Sequence, residues 1–233
     1  MVAIQGKAVV VTGGRRGLGA ALVDEVLARG AAKVYSTGRS AFSDDRPAVV
    51  PHALDVRSAE SVAALARTAA DAEIVFNNAG ILLPGPLLTG DFGDITETFD
   101  INVFGPLRVA RAFAPILAAN GGGALVNMHS VLSWLGGAGA YGASKAAIWS
   151  ATNSLRSELA AQGTQVLGVH AGFIDTDMVS SMAADKTSPA EVARRIVDGV
   201  EDGALEVLAD DISVGVKAAL SGPVEKLFVA LPV

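Results

Sequence analysis

Short apolar runs rich in β-branched residues recur along the chain, separated by longer stretches rich in Ala, Leu, Glu and Arg, and this alternation constrains the fold more than any other feature. The runs are Val9-Val10-Val11, Lys33-Val34-Tyr35, Val49-Val50, Ile74-Val75-Phe76, Ala124-Leu125-Val126 and Val166-Leu167-Gly168-Val169. Between them lie Gly19 to Arg29, Ser61 to Ala70, Phe99 to Ala119 and Ala143 to Ala161, which read as helices. A strand that is apolar throughout must be covered on both sides, and helical connections between such strands require parallel pairing. The pattern predicts an α/β fold, a doubly wound parallel sheet of Rossmann type with helices on both faces. No repeat, low-complexity tract or linker divides the sequence, so residues 1–233 are expected to form a single domain. The segment Ser188-Pro189-Ala190-Glu191 reads as a capping box opening a late helix.

Composition narrows the chemistry. With 51% hydrophobic and 18% charged residues the chain is too apolar for disorder. Its 18 Lys and Arg against 24 Asp and Glu give a formal charge of -6, which opposes binding to nucleic acid through phosphate neutralisation. The absence of Cys removes disulfides and thiolate nucleophiles, and three separated His residues make a poor metal site. Hydroxyls, carboxylates, amides, a Lys or a bound cofactor must therefore carry any reaction. Residues Met1 to Lys7 lack the basic start and long apolar stretch of a secretory signal, and apolar runs of membrane-spanning length are broken by polar residues, Gly or Pro. A cytoplasmic location with no membrane partner is expected.

The first strand ends in Thr12-Gly13-Gly14-Arg15-Arg16-Gly17-Leu18-Gly19 and runs directly into a helix. Glycines at such a turn let the backbone approach a pyrophosphate at the helix N-terminus, although a tight βα connection needs them too. The Walker A Lys-Ser/Thr pair is missing, so nucleoside triphosphate hydrolysis fits poorly. Further along, Asn77-Asn78-Ala79-Gly80 follows the fourth strand, Ser130 follows the fifth, and Tyr141-Gly142-Ala143-Ser144-Lys145 opens the next helix.

In this order and on these elements, the motifs resemble the short-chain dehydrogenase/reductase family across nearly the whole chain. The resemblance implies a nicotinamide cofactor and hydride transfer between it and a carbonyl or alcohol. It puts Tyr141 in the role of general acid/base, Lys145 one helical turn away, Ser130 on the substrate oxygen and Asn102 on a water in the proton relay to Lys145. A Tyr phenol titrates near pH 10, so a phenolate near neutrality needs a downward shift of about two to three units, which an ammonium and an oxidised nicotinamide ring can supply. The cofactor is expected along Gly13, Arg15, Arg16, Gly17, Leu18, Gly19, Arg39, Asp55, Val56, Asn78, Ala79, Gly80, Tyr141, Lys145, Gly172, Ile174 and Thr176.

NADP(H) is the expected form. The second strand leads into Gly38 and Arg39 with no carboxylate in reach, where NAD-binding relatives typically carry an acid for the ribose hydroxyl. Arg39 can pair with a 2′-phosphate, and Arg16 is placed to help. Asp55 reads equally as an adenine contact or a helix cap. Relatives usually carry Pro-Gly after the sixth strand; Ala171-Gly172 stands here, predicting a looser loop. His129 should point away from Ser130 along a strand and serve a structural role.

Leu82, Leu83, Leu132, Trp134, Phe173, Met178 and Met182 fall in or beside loops at the carboxyl ends of strands, where ligands bind in this architecture. They predict an apolar pocket for a small-molecule carbonyl or alcohol. Two other readings stand beside this one: a cofactor-binding regulatory protein without turnover, and an isomerase or dehydratase on the same scaffold. The apolar helices around Phe99 to Ala119 and Ala143 to Ala161 predict a homodimer or homotetramer.

Overall fold

The computed structural model describes residues 1–228, and the last five residues of the expected domain lie outside them. Within it, β1 (Ala8–Val11), β2 (Lys33–Gly38), β3 (Val49–Ala53), β4 (Ile74–Asn77), β5 (Ala124–Met128), β6 (Gln165–His170) and β7 (Glu206–Leu208) form one sheet. The strand order is β3-β2-β1-β4-β5-β6-β7, and every pair is parallel. The helices are α1 (Gly17–Ala28), α2 (Ala59–Thr68), α3 (Phe92–Phe99), α4 (Gly105–Ala119), α5 (Gly139–Leu159), α6 (Pro189–Glu201) and α7 (Asp211–Ala219).

Successive side chains of each central strand feed opposite cores, the reason these strands are apolar throughout. On one face Val9, Val11, Phe76, Val126 and Leu167 pack with Leu22 and Val26 of α1 and Ile196 and Val200 of α6. On the other, Val10, Val75, Leu125 and Val166 pack with Leu65 of α2 and Val109, Phe113 and Leu117 of α4. The chain reverses its direction of winding between β1 and β4, and the carboxyl ends of those two strands open onto a crevice, the position at which doubly wound sheets bind ligands.

Several expectations are corrected. β7 was not foreseen, because Glu206-Val207-Leu208 is only three residues long and half-buried. At α6, Ser188 accepts from the Glu191 amide, but the Glu191 carboxylate binds Arg194 and Arg195 instead of returning to Ser188, so only half of the capping box forms. Helices α3 and α4 join through a π turn, Asp100–Phe104, into one run from Phe92 to Ala119 that is long and apolar enough by composition to cross a membrane. Half of its most apolar window is buried, with Val109, Phe113 and Leu117 seated on the sheet, which marks a core helix. The loop after β6 is not loose: the Gly172 amide donates to the Asp210 carboxylate and the Ala171 carbonyl accepts from the Val131 amide at 2.9 Å.

Candidate active site

A cleft of about 870 Å³ runs along the carboxyl ends of β1, β2, β4, β5 and β6. It is lined by every residue expected to bind the cofactor or take part in catalysis except Asn102, whose neighbour Ile101 lines it instead.

One end is built around the start of α1. Gly17 has φ +54°, a left-handed conformation that a side chain would strain. A Cβ on Gly19 would lie 2.0 Å from the Gly13 carbonyl oxygen, so only glycine lets the helix approach the turn this closely. Arg16 at the N-cap makes no side-chain capping bond and the first turn carries no acid, so the amides at this helix start face the cleft without a carboxylate competitor. The turn is held from below by two threonines. Thr12 Oγ1 accepts from the Asn78 and Ala79 amides at 2.9 and 3.0 Å, and Thr37 Oγ1 accepts from the Gly13 amide at 3.1 Å.

The basic residues divide. Arg15 donates to Ser40 Oγ at 3.3 Å and lies over the Phe42 ring, so it stands on the same side as exposed Arg39 at the end of β2. Arg16 turns the other way and pairs with Asp177 at 3.5 Å. Arg15, therefore, and not Arg16 as the sequence suggested, accompanies Arg39. The Asp55 carboxylate binds Arg57 through Nη2 at 2.8 Å and Nε at 3.0 Å, which holds it below its ordinary range. Ser58, accepting from the Ser61 amide, caps α2, so Asp55 is not a helix cap. Arg57, Ser40 and Thr37 also line this end; they lie outside the glycine-rich motif, and only their nearness to Asp55 and Arg39 in the sequence hinted at them.

At the other end, Tyr141 and Lys145 occupy successive turns of α5, with Lys145 Nζ 5.6 Å from the centre of the Tyr141 ring. Lys145 is buried and donates to the Met128 carbonyl at 2.9 Å. Burial pushes its ammonium down to about 8. Burial also raises the Tyr141 phenol to about 12, with Ser130 acting in the opposite direction. Ser130 sits just past β5, extended at φ -161°; its Oγ accepts from the Leu132 amide at 3.1 Å and donates to the Ala171 carbonyl at 3.3 Å. Asn102 lies within the π turn behind the cleft. Its side chain exchanges two 2.9 Å bonds with the Ile81 backbone and donates to Ser144 Oγ at 3.1 Å, tying the turn to α5 beside Lys145.

Between Tyr141 and the loop after β6 the walls are apolar. Leu82, Leu132, Phe173 and Met178 line the cleft as expected, joined by Ile81, Leu135 and Ile212, which the sequence left unmarked. Leu83 and Met182 do not reach it. Trp134 is buried and stacks on His170 with ring centres 3.8 Å apart, a core contact. His129, one residue past β5, points away from Ser130, to His170 and Thr152, as expected.

Residues 7–187 match the short chain dehydrogenase family. A solved short chain dehydrogenase from Burkholderia cenocepacia, in complex with NADP, superposes with a TM-score of 0.91 at 35% identity over 96% of each chain. Among characterised relatives, the 3-oxoacyl-[acyl-carrier-protein] reductase of Escherichia coli is 32% identical over 87% of each chain. An uncharacterised oxidoreductase of Staphylococcus saprophyticus is 30% identical over 84% of this chain and 92% of its own. With the fold, the glycine-rich turn and these likenesses together, the chain belongs to the short-chain dehydrogenase family of oxidoreductases.

Proposed function

We propose that the protein is an NADP(H)-dependent oxidoreductase acting on a small carbonyl or alcohol, with Tyr141 as its general acid/base. The observation that carries this reading is the shared cleft: an open helix start flanked by Arg15 and Arg39 at one end, and Tyr141, Ser130 and Lys145 at the other. The chemistry of the donors fits the dinucleotide. Free amides at the start of α1 suit a pyrophosphate, glycine at position 19 lets that helix start close onto the Gly13 turn, and Arg15 and Arg39 suit a 2′-phosphate. When bound, the nicotinamide supplies or accepts the hydride. Gly13, Gly17, Leu18, Asp55, Val56, Asn78, Ala79, Gly80, Gly172, Ile174 and Thr176 complete the lining along which it would be held.

Tyr141 and Ser130 then define where the substrate oxygen sits. A phenol raised to about 12 is fully protonated near neutral pH and so stands ready to donate a proton to a carbonyl as it is reduced. The reverse reaction needs the phenolate, which Lys145 and the positive charge of an oxidised nicotinamide favour by Coulomb attraction. Asn102 fixes the wall on which Lys145 rests, through Ser144 and Ile81. Apolar walls from Leu82, Leu132, Leu135 and Phe173 suit an aliphatic or aromatic carbonyl. The chain is read as one domain that assembles as a homodimer or homotetramer in the cytoplasm. The test is oxidation of NADPH, followed by its absorbance, across a panel of aliphatic and aromatic ketones and aldehydes. Binding of NADPH with no oxidation by any member of the panel would reject this reading.

A further inference from the structure

Behind Ser130 lies an unbroken series of buried polar side chains that the proposed chemistry does not use. Asn77, Asn127, His129, Thr152 and His170 are all at most 4% exposed; four come from β4, β5, α5 and β6, and His129 follows directly on β5. We propose that they form one head-to-tail hydrogen-bond chain whose last member, His170, holds the Ser130 carbonyl and so positions the Ser130 hydroxyl. This rests on the reading of Ser130 as the group that holds the substrate oxygen.

The direction of the chain follows from its two ends, each of which is a carbonyl and can only accept. At one end Asn77 Nδ2 donates to the Pro106 carbonyl at 3.2 Å and to Asn127 Oδ1 at 2.9 Å. That orients the Asn127 amide, whose Nδ2 donates to Thr152 Oγ1 at 3.0 Å. At the other end His170 Nδ1 lies 3.0 Å from the Ser130 carbonyl oxygen, so it must carry a proton. A neutral His170 then has a bare Nε2, which needs a donor from His129 Nδ1 at 3.1 Å. His129 Nε2 is left bare in turn and takes its proton from Thr152 Oγ1 at 2.8 Å. The two derivations meet at Thr152, which accepts from Asn127 and donates to His129. The Thr152 hydroxyl also lies 2.7 Å from the Ile148 carbonyl, but that oxygen already accepts the Thr152 amide within α5, and giving it the hydroxyl proton would put the proton of each neutral ring on Nε2. The opposite tautomers would set a bare ring nitrogen against the Ser130 carbonyl.

Both rings are neutral because burial and the nearby cations Lys145, Arg156 and Lys217 oppose charge on them; Glu206, 3.8 Å from His170 Nε2, acts in the other direction and is outweighed. The chain ends on a carbonyl, which has no proton to pass on, so it positions and does not conduct. Its effect falls on the turn that presents Ser130. The Ser130 carbonyl also accepts from the Ser133 amide at 3.0 Å, and the Ser130 amide donates to Ser133 Oγ at 3.3 Å, so the backbone around the hydroxyl is held from both sides. Because Thr152 stands seven residues beyond Lys145 on α5, the same chain keeps that helix in register with β5 and β6.

The test has two readouts. In the full chain labelled with ¹⁵N-histidine, long-range ¹H–¹⁵N correlations near neutral pH should show His129 and His170 neutral with the proton on Nδ1; an Nε2 proton on either ring would overturn the chain. With NADPH and a carbonyl substrate, His170→Leu should lower kcat about tenfold, the value of one lost hydrogen bond, with the Kd for NADPH unchanged. His170→Asn, which restores a donor near the Nδ1 position, should recover most of that loss. Both variants lose the Trp134 stack, so their difference isolates the donor. A folded His170→Leu with unchanged kcat, or His170→Asn no better than His170→Leu, would overturn the positioning role; if His170→Leu does not fold, the ring protons of the unaltered chain decide. Failure of the unaltered chain to turn over any carbonyl would instead reject the role read for Ser130, while the ring protons would still decide the chain.

Discussion

Arg16 and Asp177 face each other at 3.5 Å across the mouth of the cleft, joining the glycine-rich turn to the segment that follows β6. Arg15, one residue earlier, turns toward Ser40 and the end of β2. Adjacent arginines therefore turn to different walls of the cleft. Arg15→Ala and Arg39→Ala should each weaken NADPH binding by about 10- to 150-fold, the value of one charge-assisted contact, and leave NADH binding nearly unchanged. Arg16→Ala should not discriminate between the two cofactors. Dissociation constants from fluorescence titration decide, and equal losses for NADPH and NADH at Arg39 would exclude a 2′-phosphate contact there.

Tyr141→Phe removes one oxygen from a side chain that also packs in the cleft wall. Turnover should fall by a factor of about 100 or more while the Kd for NADPH stays within about twofold, since only proton transfer is lost. Steady-state kinetics alongside cofactor titration separate the two effects.

His170 is held down to about 4, mainly by burial. The unfolded chain binds a proton at this ring near pH 6.5 and the folded chain does not, so the unfolded state is the more protonated between those values and stability is lost as pH falls from about 6.5 to about 4. The full effect is about 3 kcal/mol at 1.36 per pH unit, with His129 acting in the same direction. Urea midpoints measured across this range should fall toward acid, and His170→Asn should flatten the slope.

Gly19→Ala would set a methyl 2.0 Å from the Gly13 carbonyl oxygen. The turn and the start of α1 must separate, at a cost of about 1–3 kcal/mol or more. Cofactor binding should be lost before the fold is, which calorimetry and titration on the same sample can distinguish.

Phe104 is half exposed at the start of α4, and α4 and α5 are the helices on which assembly is expected. Light scattering at micromolar concentration should give at least twice the 23.6 kDa chain mass. A monomer would mean that these helices only cover the sheet.

Six of the seven strands and the site motifs were legible because each rests on a local requirement. A strand covered on both faces has to be apolar, as Val9 to Val11 are, and a helix that meets a turn closely has to carry glycine, as at Gly19. What the sequence left obscure depends on contacts between distant residues. Asp210 pins Gly172 from 38 positions away, and no local pattern announces that partner. Trp134 lies between two segments that line the cleft, and only the three-dimensional position of His170 draws it into the core. Arg15 and Arg16 are chemically identical, and the choice between them depends on where Ser40 and Asp177 happen to lie.

The π turn at Asp100–Phe104, closed by the Gly105 amide on the Asp100 carbonyl, amounts to one residue inserted into an otherwise regular helix. Deleting one residue there would restore ordinary winding and leave the faces of the two flanking halves nearly unchanged, because a five-residue π turn sweeps about the angle of four α-helical residues. Asn102 would lose the bulged position from which it reaches Ile81 and Ser144, while the half of the helix that begins at Phe92 would keep its face. The extra residue therefore serves the presentation of Asn102 and not the course of the helix: a single-codon deletion here should spare the fold and cut the tie between the turn and α5.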